Sequence, residues 1–376
     1  MAWSFRIGTI AGIPIRIHPT FFLVLAFGAL LWGREHGGNG ALFGVLMMVL
    51  LFACVALHEL GHALAARRVG IATKEILLQL VGGVAVLARI PTKPSHELLI
   101  SVAGPLVNVL LAVLLALAGV LSGAFGQVTP ATLVAQLGEV SLAGGLLWLI
   151  QANIALVLFN LLPAFPLDGG RILRATLAFK LSPTTATRIA TITGQGIAIL
   201  IGGYALMTMN LLLGLIAFMV YMGAGQERIE ERTQSVLARL TVGEVYNRHA
   251  LALGLGDRVE TAANYLLTSP QKDFPVLREQ TLLGIVTKAD VLRALSEGRN
   301  GEFITLIMRR DVVYVDAAAT LEAVRQTMAE RGTRIVAVAE GGVFRGLVSI
   351  EDIIEAGAVS AALHRSQVGQ SAPSSS

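Results

Sequence analysis

Long apolar runs separated by short polar breaks fill the first 224 residues, and beyond them the pattern changes over much shorter distances. A hydrocarbon core of roughly 30 Å takes about 20 apolar helical residues. Six stretches meet that length or approach it: 15–32, 41–66, 97–121, 140–163, 189–206 and 209–224. The last two are joined by a few residues around Met207–Met209, which predicts a tight helical hairpin. Between the second and third runs, "TKEILLQLVGGVAVLARI" is rich in Ile, Leu and Val around Gly82 and Gly83. This predicts strands meeting at a turn. Open strand edges cannot face lipid, so the hairpin is expected at the membrane interface or against protein.

The second region carries an internal repeat with an offset of sixty-two residues, 239–297 and 304–361. "GIVTKADVLRAL" at 284–295 aligns with "GLVSIEDIIEAG" at 346–357. In each, a short apolar strand is followed by Thr or Ser, then by Asp three positions on, opening an amphipathic helix. Thr287 with Asp290, and Ser349 with Asp352, therefore read first as helix caps of the capping-box type. The segment 225–238 is charged and helix-prone, a linker between a membrane region (1–224) and the repeats. The Ser-rich stretch 362–376 is expected to be disordered.

Composition sharpens this division. Residues 1–226 hold twelve Lys/Arg and six Asp/Glu, against seventeen and nineteen in 227–376. The first part is a polytopic membrane composition and the second that of a soluble α/β domain pair. The basic excess lies beside apolar runs, which argues for lipid headgroups and against nucleic acid. Segments 67–95 and 169–188 hold five and four Lys/Arg, whereas 122–138 holds none. Basic loops inside place both termini in the cytoplasm of a multi-pass cell-membrane protein. No cleaved signal peptide is expected from "MAWSFRIGTIAGIPIRIHPT". Cys54 is the sole cysteine, so it makes no disulfide within the chain and is expected to pack in the core.

Against this apolar background, "LHELGHAL" at 57–64 is anomalous, since ionisable groups inside a membrane are costly and face a partner or a wet cavity. His58 and His62 are four apart and share a helix face, with Glu59 beside them. His-Glu-x-x-His is the arrangement in which two imidazoles hold zinc and the glutamate acts as general base. A catalytic zinc commonly takes three protein ligands. Asp168, the other acid near the cytoplasmic end of a span, is the candidate third. Asn108 is expected to make an interhelical hydrogen bond, and Arg171 and Arg174 to mark the inside face. His18 is expected to anchor the interface, with a gating role as the alternative.

"HELGH", "AGPLVN" at 103–108 and "FNLLPAFPLDGGR" at 159–171, in that order on six spans, resemble the site-2 protease family of intramembrane zinc metalloproteases. More narrowly, they resemble the branch with two C-terminal CBS domains. The resemblance implies one zinc on His58, His62 and Asp168, with Glu59 as base and Asn160 polarising the scissile carbonyl. It implies a Gly82–Gly83 hairpin that pairs with an unwound substrate strand. Substrates would be transmembrane proteins, such as a membrane-anchored signalling regulator. The repeats resemble a tandem CBS pair, which implies an adenine nucleotide at Thr287, Asp290, Ser349 and Asp352, or a dimerising scaffold without ligand. Phe165 stands where some branches carry a second proline, a difference expected to alter substrate fit. The alternatives are a metal transporter using the same His/Asp site and a non-catalytic receptor or scaffold; neither needs a base beside the ligands.

Overall fold

Glycine lets the first long apolar run double back on itself. In the computed structural model, which describes residues 4–80, 82–126, 129 and 132–370, helix α1 extends over Phe21–Arg68 with a break at Gly37. Gly37 has φ +61°, a left-handed conformation that favours glycine. A Cβ on Gly44 would lie 2.0 Å from the Gly28 carbonyl oxygen. In a straight helix those residues would stand about 24 Å apart, so the arms are antiparallel and in backbone contact.

The chain enters α1 through two strands, β1 (Phe5–Ile10) and β2 (Ile13–Ile17), where the first span was expected to begin at residue 15. After α1 come β3 (Thr73–Gln79) and β4 (Gly82–Leu87), paired antiparallel, with Gly82 and Gly83 inside β4. The sheet order is β1-β2-β3-β4, with β2 and β3 parallel. One face packs Ile13, Ile15, Ile76 and Leu78 against Phe21, Phe52 and Val55 of α1. Strand β4 is left as an edge.

Helix α2 (Pro94–Leu121) lies against α1, where a Cβ on Gly61 would meet the Ala103 carbonyl oxygen at 2.9 Å. A single turn, α3 (Leu133–Gln136), precedes α4 (Leu142–Asn160). Asn153 of α4 donates to the Leu149 carbonyl and to Cys54 Sγ on α1. Three helices complete the unit: α5 (Asp168–Ala178), α6 (Pro183–Met207) and α7 (Leu211–Leu237). The charged segment expected as a linker is the continuation of α7 through Leu237. Among the described residues, α1, α2, α4 and α6 are long and apolar enough to cross a membrane. They leave Leu106, Leu110, Val113, Leu117 and Leu200 exposed, as lipid-facing positions should be.

The chain divides into two compact units, Met1–Glu230 and Glu231–Ser376. The second holds two copies of one arrangement. The first copy has β5 (Leu253–Gly254), α8 (Val259–Thr268), β6 (Asp273–Arg278), β7 (Thr281–Thr287) and α9 (Lys288–Ser296). The second has β8 (Tyr314–Asp316), α10 (Leu321–Arg331), β9 (Ile335–Glu340), β10 (Val343–Ser349) and α11 (Ile350–Gln370). Each sheet has three strands, one parallel and one antiparallel pairing. Leu282 and Ile285 of the first sheet meet Ile335, Ala337 and Leu347 of the second.

The leading segment of each sequence repeat packs into the core of the other copy. Leu237 and Val242 belong to the core around Leu321, Val336 and Val348, and Ile304 to the core around Val259, Phe274 and Val286. Backbone bonds fix the exchange: Val242 N–H donates to the Ala319 carbonyl and Ile304 N–H to that of Asp257. A sequence offset cannot reveal which copy a leading segment packs against. Helix α11 also continues through 362–370, expected as disordered tail, because "AALHR" is made largely of good helix formers. The end of the expected tail, 371–376, lies outside the described residues.

Candidate active site

Helix periodicity places His58 and His62 on one face of α1, and α2 closes against that face. The two Nε2 atoms lie 3.1 Å apart. Asp168, the first residue of α5, brings Oδ2 to 3.3 Å from His58 Nε2 and 3.2 Å from His62 Nε2. His62 Nδ1 lies 2.7 Å from the Ile100 carbonyl oxygen. A carbonyl can only accept, so Nδ1 donates to it and Nε2 is the ring nitrogen turned toward the cluster. Asp168 Oδ2 is buried with no hydrogen-bond donor aligned on it.

Three lone-pair atoms drawn together in this way repel one another unless a cation lies among them. Zinc bound to N and O at about 2.0–2.2 Å in a tetrahedron separates its ligand atoms by about 3.3–3.5 Å. The observed spacings are close to that. His58, His62 and Asp168 thus fit a divalent metal, and among the described residues they are the one group of this kind. The carbonyl holding His62 Nδ1 is the outer contact that fixes a ligating imidazole.

Around this group lies a cavity of about 690 Å³. Glu59, Asn160, Gly82 and Gly83 all line it, so the first-unit residues expected from sequence share one space. Glu59 Oε2 accepts from the Ala85 N–H of β4 at 2.8 Å. Gly83 makes this approach possible, since a Cβ there would lie 2.5 Å from Glu59 Cγ. Gly104 of α2 does the same for the imidazoles, where an added Cβ would fall 2.2 Å from His62 Nε2. Asn160 ends α4, just before the turn leading to Asp168.

Several expectations need correction. Asn108 makes no interhelical hydrogen bond: it is fully buried, both its amide atoms lack a partner, and it lines the cavity. Asn153 holds two helices together instead. Arg174, expected only to mark the inside face, also makes ion pairs. It is largely buried, donating to Glu97 of α2 and to Glu227 of α7 at 2.9 Å, and so ties three helices. Phe165 is fully buried beside Ala190 and Ala224 under the Arg174 guanidinium, so its role is packing, while Pro166 lines the cavity. His18 pairs locally with Thr20 Oγ1 at 2.9 Å. Sequence reasoning missed Gly104: it lies within "AGPLVN", but its approach to the imidazoles appears only once α2 packs on α1.

In the second unit Thr287 and Asp290 form a capping box at α9, as the local pattern predicts. Ser349 and Asp352 bond in the same way at α11. Asp290 is also gripped by Arg309 through two bonds of 2.9 Å. Burial pushes its carboxyl up, but the bonds from Arg309 and Thr287 outweigh this and hold it below the usual carboxylate range. A depressed folded pKa gives stability that is present above the unfolded value of about 3.9 and is lost as pH falls through the folded one. Asp290→Ala is expected to cost about 1–3 kcal/mol by removing the acceptor for Thr287 in the capping box and the partner of Arg309. Calorimetry of the full chain should show the second unit melting roughly 3–8 °C earlier at neutral pH, with the gap narrowing in acid.

Residues 46–203 match the model of Peptidase family M50, and 242–297 and 303–359 each match that of the CBS domain. The chain is 31% identical over 360 residues to a zinc metalloprotease of Methanocaldococcus jannaschii, covering 95% of this chain and 96% of that one. It is 36% identical to the solved site-2 protease from Methanocaldococcus jannaschii, covering 60% of this chain and 95% of that one, with a TM-score of 0.43. A relationship that extends along nearly its whole length places this membrane protein in peptidase family M50, with two CBS domains following the protease domain.

Proposed function

We propose that the chain is an intramembrane zinc endopeptidase that cuts transmembrane substrates near the cytoplasmic face. The observation that carries this reading is the convergence of His58, His62 and Asp168 on a cavity that also holds Glu59, Asn160 and the edge strand β4. The three converging residues would hold the zinc, which when bound supplies the Lewis acidity that polarises a peptide carbonyl and acidifies water. Glu59 takes the proton of the attacking water and returns it to the leaving amine. The Ala85 N–H fixes that carboxylate through Oε2 and leaves Oε1 for the proton. Asn160 donates to the scissile carbonyl oxygen as charge develops there.

A transmembrane helix satisfies all its amides internally, so cleavage requires it to unwind. The free edge of β4, with Gly82 and Gly83, offers backbone groups with which an unwound strand can pair. We read the two arms of α1 with α2, α4, α6 and α7 as six spans, both termini cytoplasmic, and the CBS units as a dimer contact. An adenine nucleotide would find Asp290 already engaged by Arg309, whereas Asp352 holds Ser349 through Oδ2 alone. The second CBS repeat is therefore the better candidate for nucleotide regulation.

Purified chain is expected to carry one zinc and to cut a membrane-embedded substrate, and a chelator should stop the cutting. Asp168→Ala should lose both metal and cleavage. A chain that cuts equally well without zinc would remove the proposal.

A further inference from the structure

We propose that Asn108 binds substrate, its carboxamide taking the peptide backbone about two residues from the bond that is cut. The inference rests on the proteolytic reading above and adds a residue to it.

Ser101, Gly104, Asn108 and Ala112 form a buried face of α2. The cavity follows part of that face, from Ile100 and Ser101 to Asn108. Ile100 gives its carbonyl to His62, and Gly104 backs onto both imidazoles. Asn108 comes one turn later, about 6 Å further along the axis. An extended peptide advances about 3.3 Å per residue, so a strand laid along α2 with its reacting carbonyl at the metal group would present its second neighbour to Asn108.

The side chain is shaped for that contact and for little else. None of its surface is exposed, and neither Oδ1 nor Nδ2 has a hydrogen-bond partner. An orphaned buried amide costs about 1–3 kcal/mol, and a leucine would suit an apolar helix better. Asn153, equally buried, has its Nδ2 engaged by Leu149 and Cys54 and only Oδ1 without a partner, whereas Asn108 has neither atom engaged. An unwound substrate segment brings the complementary need, bare N–H and C=O groups with no water to take them. A carboxamide offers an acceptor and two donors, so Asn108 can satisfy both groups of one residue whatever its side chain.

The test uses the full-length zinc enzyme and a transmembrane peptide substrate. Asn108→Leu should keep its zinc, melt at the same temperature or higher, and raise KM about thirty-fold, the equivalent of two lost backbone hydrogen bonds, with kcat little changed. Substrates N-methylated at the second amide on either side of the cleaved bond supply the second measurement. For one of the two, the wild-type penalty should vanish with Asn108→Leu. Should Asn108→Leu fail to accumulate, Asn108→Ser gives the same comparison. An unchanged KM, N-methyl penalties of equal size in both enzymes, or a lowered melting temperature in both Asn108→Leu and Asn108→Ser would overturn the assignment. Glu59→Gln assayed alongside separates the two failures: if that variant still cuts, proteolysis at this site is what falls.

Discussion

Gly104→Ala is expected to remove bound metal and cleavage together while the second unit melts unchanged. The added Cβ would sit 2.2 Å from His62 Nε2, 2.5 Å from its Cε1 and 2.7 Å from His58 Nε2. Carbon and nitrogen are comfortable at about 3.5 Å, so both rings must move by an ångström or so. His62 cannot swing away freely, because its Nδ1 is held by the Ile100 carbonyl on the same helix that carries the new methyl group. The methyl group would also occupy space beside the converging nitrogens. Gly203→Ala is the matching control: it lies in an apolar helix with nothing within 4 Å of an added Cβ and should leave zinc and activity intact. Zinc stoichiometry by atomic absorption distinguishes the outcomes, and full zinc in Gly104→Ala would show that the imidazoles are not pressed against α2 as described.

The same glycine marks how far the sequence could be read. The metal group was legible because its signals are local and chemically unusual: imidazoles four apart in an apolar helix, and a second acid in a region holding six. The capping boxes at Thr287 and Ser349 were also local patterns, and they lie where those patterns put them. What could not be read depends on which surfaces meet. Gly104 matters only because α2 approaches α1 at that turn. Arg174 looked like a topological charge until Glu97 and Glu227, distant in sequence, closed around it. The exchanged segments at 237–247 and 303–309 have the same cause. The amino-terminal strands are a different matter. "FRIGTI" and "IPIRI" alternate around an Ala-Gly turn, a strand signal that the apolar run after it obscured.

Glu59→Gln should retain zinc and lose cleavage by about 10²–10⁴-fold in kcat, the range expected when a general base is removed. The substitution is nearly isosteric. Glutamine can still accept the Ala85 N–H through its oxygen, so β4 and α1 keep their spacing and Gly83 still admits the side chain. His58 and His62 are untouched, which is why metal content separates loss of a base from loss of the site. KM should change little, since the strand edge and both cavity asparagines remain. Glu59→Asp is the sharper companion: the shorter side chain keeps a proton acceptor but gives up reach to Ala85. Activity between wild type and Glu59→Gln would then mean that the backbone of β4 aims the base as well as bordering the cavity. Transport or passive binding of a metal predicts the opposite pattern, with function following zinc content and indifferent to whether position 59 can take a proton.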